Sequence, residues 1–237
     1  MTSALLPRVG DYSRRAVGFV LRHRWSLPLT AASSVSLAEL ADEMRDGDLD
    51  VVDATIAAVV HGWRGNMDGL MLALTRAGGG LGMATVSVVV VLALLVAGRR
   101  RAALFMGSAA LGTLLLITGL KLLFHRARPL DVTYLIQAPS SFSFPSGHAF
   151  GSVGVMASLV VVLYAVGVPK LVSRLATLVV ALFVLGVALS RVYFGVHYPS
   201  DVLGGALGAA AWVSAWTGWF YPHLVPGERA LEPAPEA

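Results

Sequence analysis

Five stretches of this chain are long and apolar enough to cross a bilayer, and that excludes most soluble architectures. A helix rises about 1.5 Å per residue, so about 20 apolar residues cover a hydrocarbon core of about 30 Å. The stretches run over Leu81–Gly98, Ala102–Phe124, Ala149–Val168, Leu171–Leu189 and Val202–Phe220. A sixth, Trp25–Leu40, is a weaker span because it is shorter, rich in Ser and closed by Glu39. Hydrocarbon offers no partner for backbone N–H and C=O groups, so spans of this length are helical. The expected fold class is therefore all-α, a polytopic membrane protein of about six transmembrane helices. Of the 237 residues 56% are hydrophobic and 14% charged, which leaves no room for a large soluble domain. The expected organisation is an N-terminal cytoplasmic segment (1–24), a membrane-embedded domain (25–221) and a disordered, Pro-containing tail (222–237). The first residues lack a compact apolar core with a cleavage site and are expected to stay on the protein.

The charges orient these spans. Lys and Arg near short loops favour the cytoplasmic side. With six spans, Arg8, Arg14, Arg15, Arg22, Arg24, Arg99, Arg100, Arg101, Lys170, Arg174 and Arg229 share one face, eleven of the 18 cations. Arg45, Arg64, Arg76, Lys121, Arg126, Arg128 and Arg191 fall on the other. The first face is thus cytoplasmic. The net charge of +4 is scattered between spans and forms no single basic face, so no nucleic-acid partner is expected. There is no Cys, hence no disulfide framework and no thiolate metal site. The segment Ala41–Gly80 carries Asp42, Glu43, Asp46, Asp48, Asp50, Asp53 and Asp68. Within it Val51, Val52, Ile56, Val59 and Val60 recur at helical spacing, as in a short amphipathic helix at the interface; a solvated connector is the plainer alternative. Gly78, Gly79 and Gly80 break the chain before the second span, and Pro169 marks a turn between the fourth and fifth.

Four cations on the outer face crowd the ends of the third and fifth spans, against the trend that placed the others. Ionisable groups at such depth are costly unless paired or solvated, and although each could snorkel alone, together they suit a common anion. In KLLFHRARP, Lys121 is followed seven residues later by Arg128, and Pro129 turns the chain out of the helix so that the guanidinium can fold back beside the ammonium. Ser146, Gly147 and His148 open the fourth span, where a helix N-terminus presents free N–H groups to an anion. Ser146 either donates its hydroxyl or caps the helix. In SRVYFGVHYPSD, Pro199 suits the first turn of the sixth helix. Asp201 can then take the Nδ1 proton of His197 and leave Nε2 with its lone pair. An oriented, neutral imidazole beside a phosphate clamp is a nucleophile.

These three segments together resemble the signature of the type 2 phosphatidic acid phosphatase family of membrane lipid phosphatases. Lys121, Arg128 and Pro129 match its first part, Pro145, Ser146, Gly147 and His148 its second, and Ser190, Arg191, His197 and Asp201 its third, each with the family's spacing. The resemblance implies that His197 attacks phosphorus and forms a phosphohistidine, with Asp201 as its orienting partner. It implies that His148 protonates the leaving oxygen and then activates water, and that Lys121, Arg128, Ser146, Gly147 and Arg191 hold the non-bridging oxygens. It implies no metal ion and no cofactor; the partners are the bilayer and a lipid phosphate. Candidate substrates are a polyprenyl diphosphate, phosphatidic acid and phosphatidylglycerol phosphate. The expected location is the cell membrane with the site on the extracytoplasmic face, and oligomeric state is left open. The rival from another class is a non-catalytic lipid-phosphate-binding or transport protein that kept the anion site; a lost nucleophile or acid would mark it, and His197, His148 and Asp201 are all present. Between motif positions, His125 is expected at the interface, Arg126 without a catalytic role, and Tyr193, Phe194 and Tyr198 as packing or headgroup anchors. Gly204, Gly205 and Gly208 are expected to permit close packing of the sixth helix.

Overall fold

The computed structural model describes residues 25–129, 136 and 140–224. Expectations for 1–24 and 225–237 lie outside these residues. Eight helices follow one another among the described residues: α1 (Ser26–Asp46), α2 (Asp50–His61), α3 (Asp68–Ala77), α4 (Gly80–Val96), α5 (Arg100–Phe124), α6 (Gly147–Ala165), α7 (Lys170–Tyr193) and α8 (Pro199–Leu224). There is no strand among them. The expected tail began at 222, yet α8 continues to Leu224.

Three of these helices, α5, α6 and α7, are long and apolar enough to cross a membrane. The second expected span is built differently from the straight helix the sequence suggested. α4 has 17 residues, and α3 precedes it across a 51° bend; the two are long and apolar enough only when taken together, as a broken span or a re-entrant loop. The bend falls on the glycine run, and the packing requires it. A Cβ on Gly78 would come within 2.4 Å of Val187 on α7, and one on Gly79 within 3.3 Å of His148 Nε2. α1 outruns its expected end at Leu40 and reaches Asp46. Its buried residues Ser26, Ser33, Leu40, Ala41 and Met44 form one seam, and Thr30 Oγ1 lies 2.8 Å from Ser214 Oγ on α8. The Ser content that lowered the apolar score of this segment is thus the small-residue surface that lets two helices approach.

α6 is the central helix and packs against α4, α5, α7 and α8. Its buried positions include Ala149, Ser152, Gly154 and Ser158, small side chains that bring neighbouring backbones close. α7 shows the opposite pattern over most of its length, with Leu171, Leu175, Leu178, Val179, Leu182 and Leu185 all exposed. In water this would be a liability; in lipid it is the expected outer surface. Apart from Ser173 near its start, its buried residues gather in the last turns, at Val187, Ser190, Arg191, Val192 and Tyr193.

The amphipathic helix expected in the acidic connector is α2. Val51, Val52, Ile56 and Val59 point outward while Val60 and the carboxylate of Asp53 are buried. An aqueous protein would orient this helix the other way round, so its apolar face suits a bilayer interface. Its C-terminal neighbourhood ties the connector to α7: His61 Nε2 lies 2.9 Å from the Val192 carbonyl, and Arg64 Nε donates to the Tyr193 carbonyl at 2.9 Å. Tyr193 donates its hydroxyl to Asp68 and packs edge-on against Phe194, so both aromatics are buried packing groups.

Candidate active site

The end of α5, the start of α6, the end of α7 and the start of α8 meet at one end of the bundle, and all three signature segments lie there. α5 stops at Phe124, and His125 closes it in the left-handed region (φ 51°), donating its N–H to the Lys121 carbonyl. The exposed His125 ring stacks edge-on against Phe142 at 4.4 Å. The chain then turns back, so that Lys121 Nζ and Arg128 Nη2 both donate to the carbonyl of Phe142. The expected pairing of ammonium and guanidinium is therefore present. Lys121 also reaches over the α6 N-terminus, where a Cβ on Gly147 would lie 3.7 Å from its Cε.

Ser146 occupies the cap position of α6 but makes no side-chain capping bond. Its backbone N–H instead donates to the Asp201 carbonyl at 2.8 Å, which binds α6 to α8. Its hydroxyl is buried without a partner. Of the two roles open to Ser146, the geometry removes capping and leaves a buried donor with nothing to donate to.

Arg191, expected among the cations that crowd the end of the fifth span, lies at the end of α7 and is 2% exposed, because α3 packs against α7 there. Its Nη1 donates to Thr75 Oγ1, while its Nε is buried and unpartnered. His148 faces the backbone of the same Thr75 and lies within electrostatic reach of Arg191, His197 and Arg128. The buried guanidinium nitrogen of Arg191 and the buried hydroxyl of Ser146 are thus two donors without protein acceptors, the kind of group an anion satisfies.

His197 sits in the loop between α7 and α8, 3% exposed, with Nδ1 3.2 Å from Asp201 Oδ2. Arg128 Nη1 lies 3.1 Å from Nε2. A guanidinium donates and cannot accept, so Nε2 carries the lone pair and the ring proton is on Nδ1, directed at Asp201. Burial pushes the His197 imidazole down to about 4; the bond to Asp201 opposes this, and the positive charges of Arg128 and Arg191 add to it. The ring is neutral at physiological pH. Asp201, fully buried at the start of α8, is itself fixed by four donors: His197 Nδ1, the Tyr198 N–H at 2.9 Å, the Ser143 hydroxyl, and Arg126 Nη1 at 2.7 Å.

The structure therefore brings Lys121, Arg128, Ser146, Gly147, His148, Arg191, His197 and Asp201 to one place. Sequence reasoning missed Ser143 and Thr75. It set aside Arg126, which stands beside Asp201, and counted Asp53 only among the acids of the connector. Asp53 Oδ2 is 3.0 Å from Arg126 Nη2, and Asp53 Oδ1 accepts the Ser200 N–H at 2.8 Å. The Arg126 guanidinium lies 4.1 Å from the centre of the Tyr198 ring, so that aromatic serves a cation–π contact. One signal pointed to Asp53: it shares a helical stripe with Ala57 and Val60, opposite the exposed valines.

Residues 101–224 match the PAP2 superfamily. Two curated relatives are each named decaprenylphosphoryl-5-phosphoribose phosphatase. The one from Mycolicibacterium smegmatis is 35% identical over 109 residues, 45% of this chain and 54% of that protein. The one from Mycobacterium tuberculosis is 36% identical over 114 residues, 47% of this chain and 58% of that protein. The chain spans about half the length of the curated relatives it matches. Among solved structures, a transmembrane PAP2 type phosphatidylglycerolphosphate phosphatase from Bacillus subtilis superposes with a TM-score of 0.74. It is 24% identical, and the match covers 81% of this chain and 96% of that one. The likeness is one of fold.

Proposed function

Because the chain belongs to the PAP2 superfamily, whose match covers more than half its length, we propose that it is a membrane lipid phosphatase acting through a phosphohistidine on His197. The observation that carries this reading is the state of that ring, whose Nε2 lone pair faces Arg128 while Asp201 holds Nδ1–H. In the first step Nε2 bonds to phosphorus and the bond from phosphorus to the lipid oxygen breaks. The proton on His148 goes to that leaving oxygen, and the new imidazolium keeps its Nδ1–H on Asp201. In the second step water attacks the phosphohistidine, His148 takes the proton back, and inorganic phosphate leaves.

Lys121, Arg128, Arg191 and the Ser146 hydroxyl hold the non-bridging oxygens. The unpartnered Ser146 Oγ and Arg191 Nε are the donors that a phosphoryl group would satisfy. Arg128 Nη1 lies 3.1 Å from the attacking Nε2, and a phosphoryl group bound there draws the guanidinium onto its own oxygens and frees Nε2. The four cationic and hydroxyl groups neutralise transition-state charge without a metal ion. The two mycobacterial relatives are named for a polyprenyl-linked sugar phosphate, which favours a polyprenyl carrier as the lipid. With six spans, the charge asymmetry of the loops favours the site on the extracytoplasmic face.

The test is phosphate release by the purified protein in detergent. The panel comprises polyprenyl diphosphate, polyprenyl-linked sugar phosphate, phosphatidic acid and phosphatidylglycerol phosphate. Polyprenyl substrates should be preferred, and His197→Ala should abolish turnover with the fold intact. Undiminished turnover by His197→Ala would end the phosphohistidine reading.

A further inference from the structure

Asp201 does not stand alone behind His197. Its Oδ1 receives Arg126 Nη1 at 2.7 Å, and the same guanidinium reaches Asp53 Oδ2 through Nη2 at 3.0 Å. Arg126 Nη1 also donates to Ser200 Oγ at 2.7 Å, and Ser200 in turn donates its N–H and its hydroxyl to Asp53. The Arg126 carbonyl accepts the Ser143 N–H at 2.8 Å, and the Ser143 hydroxyl donates to Asp201 Oδ2. Side-chain exposure along this chain is 3% for Asp53, 12% for Arg126 and 0% for Asp201. Charges so removed from water persist only when compensated, and here they alternate from Asp53 through Arg126 to Asp201, which also accepts the Nδ1–H of the imidazole.

We propose that Asp53 and Arg126 are positioning residues of the nucleophile: Arg126 sets the orientation and the electrostatic balance of Asp201, and Asp53 holds and neutralises Arg126. The proposal rests on the phosphohistidine reading above and extends it to a part of the chain outside the three signature segments. It also gives α2 a task. That helix directs Val51, Val52, Ile56 and Val59 outward and one carboxylate inward, so the helix is tied through Arg126 to the carboxylate that orients His197.

The charges around His197 and Asp201 fix the signs. Arg126 and Arg128 follow α5, Lys121 ends α5, His148 opens α6 and Arg191 ends α7, while Asp50 and Asp53 of α2 face the neighbouring Tyr198. Removing Arg126 leaves Asp201 with more of its negative charge for the imidazolium, so His197 becomes more basic. Removing the charge of Asp53 leaves Arg126 uncompensated, so His197 becomes less basic. Removing both restores the balance.

The experiment measures kcat and kcat/KM against pH for phosphate release from phosphatidic acid in mixed detergent micelles. It compares the wild type, Arg126→Gln, Asp53→Asn, the double variant, Arg126→Lys and His197→Ala. The acid limb of kcat/KM, which reports the free enzyme, should move up by about one unit in Arg126→Gln. It should move down in Asp53→Asn and return to within about half a unit of wild type in the double variant. kcat should fall about tenfold in each single variant with KM little changed, as expected for outer partners that aim a catalytic group. Arg126→Lys keeps the charge, so its acid limb should stay in place even if kcat drops. A merely structural role would shift no limb and would leave the double variant worse than either single one; that result overturns the proposal. Turnover by His197→Ala would instead overturn the phosphohistidine reading, whereas an inactive His197→Ala with unmoved limbs in the other variants removes this proposal alone.

Discussion

Gly205 gives the sharpest test of how the two halves of the site are held together. It lies in the second turn of α8, where an added Cβ would stand 2.7 Å from the Ser146 carbonyl oxygen and 3.1 Å from Phe150 N. Both neighbours are backbone of α6, so neither can rotate away. To restore an ordinary carbon–oxygen contact the α6 N-terminus must retreat by about 0.5 Å. The same retreat stretches the Ser146 N–H to Asp201 carbonyl bond from 2.8 Å to about 3.3 Å, past the usual range. It also carries Ser146 and His148 away from His197. Catalytic groups tolerate about 0.5 Å of misplacement, and 1 Å costs about 100-fold, so Gly205→Ala should lower kcat about tenfold. Gly151 is the control: it lies on α6 with nothing within 4 Å of its would-be Cβ, so Gly151→Ala should leave kcat unchanged. The assay is phosphate release in detergent, with thermal unfolding followed in parallel to verify the fold. If Gly205→Ala turned over as fast as Gly151→Ala, α8 and α6 would not approach as closely as described, and turnover would not depend on the bond from Ser146 N–H to the Asp201 carbonyl.

Ser146→Ala should separate catalysis from stability: its hydroxyl makes no capping bond and is buried unpaired, so kcat should fall about 100-fold while the melting temperature holds or rises. The low basicity of His197 makes stability depend on pH. The unfolded ring takes a proton near its ordinary 6.5 while the folded ring resists until about 4. This contribution is therefore intact above pH 6.5, lost progressively as pH falls towards 4, and constant below that, for a total of about 3 kcal/mol. His197→Gln should flatten that part of the unfolding curve in detergent; an unchanged slope would show that the ring is not buried as described. Chelators should leave phosphate release intact, because Lys121, Arg128 and Arg191 supply the positive charge; a strict requirement for added magnesium would contradict that assignment.

What the sequence disclosed and what it concealed follow from how each residue is tied into the site. Lys121, Arg128, His148, Arg191, His197 and Asp201 stand at helix ends, and their spacing alone predicts that they converge once the spans run antiparallel. Ser143, Thr75, Arg126 and Asp53 are joined to that set only through tertiary contacts: Thr75 meets Arg191 across 116 residues, and Asp53 meets Ser200 across 147. No local pattern marks such pairs. The acidic connector hid Asp53 further, because six other acids surround it in sequence while none of them shares its buried contact with Arg126. The glycine run was legible as a break, but its consequence was not. A sequence shows that Gly78 and Gly79 interrupt a helix; only the fold shows that the interruption bends α3 over the end of α7, bringing Thr75 to Arg191 and shielding that guanidinium from water. The burial of Arg191 was not legible for that reason. A cation at a span end is exposed unless something is folded over it, and the segment that covers it is the one that looked like a connector.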